Sequence, residues 1–120
     1  MAQVELVRFQ RNVAVLTGVV LGDRSPIAGR AFNVQIHWPN GCNGLVNVAV
    51  SHGGKQFCPR NGFLALNDAL ATYEVDEALA LYEPLEVEIQ NTDAVNAHQI
   101  TVVIFIKMAQ TPVARVSGIG

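Results

Sequence analysis

Charge is scarce in this chain and reactive motifs are missing. Only 15% of its 120 residues are charged, and half are apolar. That balance excludes a disordered chain, which is poor in apolar residues and rich in charge. Yet no apolar run reaches the roughly 18 residues that a membrane helix needs. The longest, Ile100 to Ile106, is broken by Thr101 and stops at Lys107. Glu5, Arg8 and Arg11 leave no signal or transit pattern at the N-terminus. The expected location is therefore cytoplasmic as made, or a virion if the protein is viral. There is no CxxC, no P-loop, no G-x-G-x-x-G and no G-x-S-x-G elbow.

Basic residues are missing from a long stretch. None occurs from Asn61 to Ile106. Residues 1–60 hold six Lys and Arg against two acids, and residues 61–120 hold two against eight. An acidic chain with scattered arginines lacks the clustered basic patch that phosphate binding needs, so no direct nucleic-acid partner is expected. The two halves either meet within one fold or make a dipolar subunit that steers onto copies of itself.

What is present is alternation of period two. Ala31 to Trp38 sets Phe32, Val34, Ile36 and Trp38 on one face, with Asn33, Gln35 and His37 on the other. Leu85 to Asn91 sets Leu85, Val87 and Ile89 against Glu86, Glu88 and Gln90. These patterns predict half-buried antiparallel strands. Val4–Phe9, Asn12–Leu21, Leu45–Val50 and Gln99–Met108 are further strands. The last is apolar on both faces, which fits a central strand or one covered by another subunit.

Turn chemistry separates these runs. It includes Gly22-Asp23-Arg24-Ser25-Pro26, three Asn-Gly steps, and Ser51-His52-Gly53-Gly54. The expected fold is all-β and mainly antiparallel, a β-sandwich or jelly-roll-like barrel over residues 1–108. Residues 67–82 are rich in Ala, Leu and Glu and predict one short helix, capped by Asn67 or Asp76. Val75, Leu79 and Leu81 would also suit a strand there. Residues 109–120 read as a C-terminal arm, with Val113, Arg115, Val116 and Ile119 as contacts to a neighbouring subunit.

Candidate chemistry is sparse. Placing Leu45–Val50 against Lys55–Cys58 sets Cys58 opposite Asn47, with Cys42 about 17 Å away at strand rise. A disulfide needs Cα atoms within about 7 Å, so free thiols are expected unless residues 39–44 fold back. His37, His52 and His98, with the cysteines, offer ligand types for a metal but no ligand spacing. No metal or other cofactor is expected. Ser51, His52 and Asp93 supply the letters of a hydrolytic triad, and Glu86 and Glu88 project from one strand face about 7 Å apart. The plainer account of each is a turn or a solvated strand face. Trp38 could stack on a sugar, but it shares a face with Phe32, Val34 and Ile36 and is expected in the core.

Residues 84–106, PLEVEIQNTDAVNAHQITVVIFI, read as a strand, a polar turn and a very apolar strand. The pattern resembles the closing hairpin of small β-sandwich capsid and decoration proteins of viruses and phages. It spans about a fifth of the chain and carries over no functional residue. The resemblance implies a non-enzymatic building block that assembles with itself or docks on a capsid lattice. The alternatives are a carbohydrate-binding module centred on Trp38, or a small metal-binding or hydrolytic enzyme using His37, His52 and His98.

Overall fold

The structure, a computed structural model, describes residues 3–109. The expected arm contacts Val113, Arg115, Val116 and Ile119 lie outside them. Eight strands follow one another: β1 Val4–Val13, β2 Thr17–Arg24, β3 Gly29–Trp38, β4 Val46–His52, β5 Lys55–Cys58, β6 Ala69–Leu79, β7 Pro84–Asn91 and β8 His98–Met108. They form two antiparallel four-stranded sheets, ordered β1-β8-β3-β6 (sheet A) and β2-β7-β4-β5 (sheet B). The all-β sandwich expected from the alternation is the fold observed. No helix of the described residues is long and apolar enough to cross a membrane.

The chain changes sheet at nearly every connection. Only β4 and β5 form a hairpin within one sheet, about Gly53 and Gly54, both at positive φ (53° and 82°) as a tight two-residue turn requires. The expected strand Asn12–Leu21 is therefore two strands in different sheets, divided at residues 14–16 where Leu16 takes a φ of 51°. The expected closing hairpin is likewise an arch, with β7 in sheet B and β8 in sheet A. Its polar bend is built by side chains. The Asn91 amide donates to the carbonyls of Val13, Ala14 and Asn96. The Asp93 carboxylate accepts from the N–H groups of Val95 and Asn96 and from His98. A bend supplied this way needs no backbone pairing between its two strands.

The core lies between the sheets. Val34, Ile36 and Trp38 of β3 and Ile100, Val102, Ile104 and Ile106 of β8 meet Val46, Val48 and Val50 of β4 and Leu85, Val87 and Ile89 of β7, all fully buried. These are the inward rows that alternation marks, with one correction. Phe32 is not in the core. The pairing of β3 with β8 shifts between Ala31 and Asn33, so Phe32 is the extra residue of a β-bulge. It turns to the outer face of sheet A, edge-on to Phe105 at 6.2 Å with Lys107 over its ring at 5.8 Å. Ala31 takes the inward place.

The helix expected within 67–82 is also corrected. Residues 69–79 are strand β6, an edge strand paired with β3. Ala71, Tyr73, Val75 and Leu79 turn inward, and Leu70, Thr72, Glu74 and Asp76 outward. Pairing against a formed neighbour outweighs a modest helical preference of fractions of a kcal/mol per residue. Neither expected cap acts as one. The Asn67 side-chain oxygen accepts from the N–H groups of Gly41 and Asn43, and Asp76 accepts from Arg30 at 2.6 Å.

Candidate functional site

The sandwich is unevenly closed along its two sides. On one side β1 and β2 are joined by a short turn. On the other, β6 offers eleven residues while the facing edge strand β5 has only four. Ala71, Tyr73 and Val75 point inward there yet stay half-covered. A groove of about 470 Å³ follows, lined by Phe57, Arg60, Glu74, Val75, Asp76 and Glu77. Phe63, Leu66 and Leu70 are exposed apolar side chains from the loop before β6 and from β6 itself.

An ionic clasp joins the two sheets at the end of this groove. His52 ends β4, and its two ring nitrogens face two carboxylates: Nε2 lies 2.9 Å from Glu77 Oε1, and Nδ1 contacts Glu83 Oε2. Arg60 donates to the other Glu77 oxygen at 2.9 Å, and the Lys55 ammonium lies 3.7 Å from Oε1. The Glu77 side chain is only 6% exposed and that of His52 11%. The hydrogen bond to His52, helped by Lys55 and Arg60, holds the Glu77 carboxyl below its ordinary value despite burial. The Ala80 N–H, followed by His52, does the same for Glu83. Phe57 packs edge-on against the His52 ring at 5.2 Å.

Replacing Glu77 with Gln is expected to cost about 1–3 kcal/mol near neutral pH, because a buried carboxylate hydrogen-bonded to His52 and Arg60, with the Lys55 ammonium nearby, loses its charge. The pH dependence has a definite sign. A carboxyl held below its unfolded value of 4.5 contributes above that value, and the contribution is lost as pH falls through the lower folded value. Melting temperatures from about pH 7 to about pH 3 should therefore fall less steeply in Glu77→Gln than in the parent below about pH 4.5. Parallel curves would show that the clasp does not stabilise the fold.

The sequence-derived site residues are scattered. His37 is exposed on sheet A, His52 belongs to the clasp, and His98 meets Asp93 at 2.8 Å in the β7–β8 arch. Ser51, His52 and Asp93 thus form no triad, since His52 and Asp93 are engaged elsewhere. Among the described residues no group of three or more His, Cys, Asp or Glu is placed to hold a metal ion. Glu86 and Glu88 lie on the outer row of β7.

Both cysteines are free and buried. Cys58 pairs with Val50 rather than Asn47, because the turn takes only Gly53 and Gly54, so that His52 pairs with Lys55, and the register shifts by one more residue between Val50 and Ser51. Burial pushes its thiol up to about 11 and also raises Tyr73 nearby. Burial, then the Asp93 charge, raises Cys42. Neither thiol is primed as a nucleophile, since the thiolate is the reactive form. Trp38 is fully buried, with its indole N–H donating to the Val46 carbonyl at 3.0 Å, so its ring has no face for a sugar.

Glu77 and Glu83 are the residues that sequence reasoning missed. One signal for Glu77 was available. If Val75 and Leu79 both point inward, Glu77 between them must point inward too. A carboxylate in an inward row calls for partners.

No family model matches the sequence, and no curated protein matches it. Solved structures to which it is similar include that of FLHE, at 11% identity and a TM-score of 0.49, covering 89% of this chain and 98% of that one. Another is PirA, at 17% identity and a TM-score of 0.39, covering 82% of this chain and 92% of that one. At these values neither likeness bears on function.

Proposed function

We propose that this chain is a non-enzymatic structural subunit that works by associating with copies of itself. One observation carries the reading. Sheet A leaves both its edge strands unpaired along ten and eleven residues among the described residues, and β6 is half-covered beneath. A long open edge is a template for another strand. The titratable groups point the same way. The His52–Glu77–Glu83 clasp binds its members to one another across the sandwich, which suits a rigid block. A virion capsid or decoration role is the narrower form of this proposal, and finding the chain in purified particles would test it. The general reading is tested by light scattering after size exclusion over a wide concentration range. The average mass should climb above that of the monomer as concentration rises. A monodisperse monomer throughout would remove the reading.

A further inference from the structure

The chain carries three Asn-Gly steps, Asn40-Gly41, Asn43-Gly44 and Asn61-Gly62, and all three asparagines are exposed. Asn-Gly is the step most prone to lose ammonia, because glycine has no Cβ to shield its backbone nitrogen from the asparagine side chain. Access alone is not enough. The asparagine must rotate about its Cα–C bond until Cγ meets the next nitrogen, and that nitrogen must shed its proton. A closed turn about the pair opposes the rotation. A hydrogen bond from the N–H opposes the loss of the proton.

Two of the three steps are held. Asn40-Gly41 lies in a turn closed by the Cys42 N–H on the Pro39 carbonyl at 3.4 Å, and the Gly41 N–H donates to Asn67 Oδ1 at 3.0 Å. Asn43-Gly44 lies in a turn closed by the Leu45 N–H on the Cys42 carbonyl at 2.8 Å, with φ of 51° and 73°. The Asn43 N–H donates to the same Asn67 oxygen at 2.9 Å, so one side chain pins both turns. Asn61-Gly62 has no such hold. Among the described residues neither N–H of that pair donates a hydrogen bond, and none closes a turn about it. Its contact is through the Gly62 carbonyl, which accepts from Gln56 Nε2 at 2.7 Å and leaves the nitrogen free. A Cβ at Gly62 would meet nothing within 4 Å, and the same is true at Gly44, so hydrogen bonds and not crowding separate the sites.

From these observations we infer that Asn61 is a self-modifying site, which converts to isoaspartate in the folded protein ahead of Asn40 and Asn43. The Gly62 nitrogen gives its proton to water or hydroxide and attacks Asn61 Cγ. The bond from that nitrogen to Cγ forms, the bond from Cγ to Nδ2 breaks, and Nδ2 takes up a proton from solvent and leaves as ammonia. Water then adds to one carbonyl of the cyclic imide. Opening on one side gives isoaspartate, with the main chain routed through Cβ, and opening on the other gives aspartate. Nothing is oxidised or reduced. Either product sets a new carboxylate next to Arg60, the residue that donates to Glu77 at the clasp.

The experiment is incubation of the full folded chain in mildly alkaline buffer, with samples digested by trypsin and read by mass spectrometry against an unincubated control. Cleavage after Arg30, Lys55 and Arg60 puts Asn40 and Asn43 in one peptide and Asn61 in another, and fragmentation assigns the residue. An isoaspartate-specific methyltransferase distinguishes isoaspartate from aspartate. Asn61 should convert about tenfold faster than either held site, the effect of two hydrogen bonds on a rate. In urea the holds are gone, and the three sites should convert at similar rates. Asn67→Ala removes the oxygen that pins both turns, so in the folded variant Asn40 and Asn43 should speed up several-fold while Asn61 keeps its rate. No isoaspartate at Asn61 in the folded parent, or conversion at Asn40 or Asn43 as fast as at Asn61, would overturn the inference. Rates at Asn40 and Asn43 that Asn67→Ala leaves unmoved would overturn the hydrogen-bond account of the order.

Discussion

Trp38→Ala should destabilise the protein by about 3–5 kcal/mol, the cost of truncating a large aromatic in a close-packed core. Trp38 ends β3, the strand that lies between β8 and β6 in sheet A, and no part of it reaches solvent. Its ring fills space between the sheets. Its N–H also crosses that space to the Val46 carbonyl at 3.0 Å, where β4 begins. Truncation leaves a cavity and also removes one partner of a buried carbonyl, and the two penalties act in the same direction. Trp38→Phe keeps most of the volume and loses the hydrogen bond, so it should cost about 1–2 kcal/mol. The measurement is a urea melt followed by circular dichroism, since Trp38 is the only tryptophan and fluorescence would vanish with it. A loss below about 1 kcal/mol in the alanine variant would show that the ring is not a core element, and a surface role would return to consideration.

The fold was legible where period two ran undisturbed. Leu85, Val87 and Ile89, and Ile100 to Ile106, alternate without interruption, and each inward residue is buried. Alternation is local, however, and says nothing about which sheet a strand joins. Residues 84–106 read as a hairpin because two strands flank a polar bend. Asn91 and Asp93 spend their side chains on the backbone of that bend, which lets the chain cross to the other sheet. Phe32 failed for a different reason. A bulge adds a residue and inverts the facing of one position, and nothing in the apolar pattern of Ala31 to Trp38 marks it. At β6 a sequence of good helix formers is held extended by its neighbour β3, a long-range cause that local preference cannot carry.

The candidate site was legible in composition and not in geometry. His52, Glu77 and Glu83 come from β4, β6 and the turn after it, and no spacing in sequence joins them. Histidines were sought as metal ligands, and the structure uses two of them as partners of carboxylates.

The sharpest backbone constraint falls on Gly29, and Gly29→Ala should cost about 3 kcal/mol, at the upper end for overpacking. Gly29 opens β3 and lies between Leu79 of β6 and Met108 of β8. A Cβ built there would stand 2.0 Å from the Lys107 carbonyl oxygen, 2.9 Å from its carbon and 3.2 Å from the Ala109 nitrogen. All three are backbone atoms, so no side chain can rotate away. Relief requires β3 and β8 to part at this end, which strains the bond from the Ala109 N–H to the Ala28 carbonyl and those beside it. Gly18→Ala in β2 is the matched control. A Cβ there meets the Ile89 oxygen at 3.5 Å and Gln90 Cγ at 3.6 Å, ordinary contacts, so the change should stay within about 0.5 kcal/mol. Denaturant melts of both variants decide the matter. Equal stabilities would mean that β3 and β8 do not approach this closely at Gly29, and that the end of sheet A has room for a side chain.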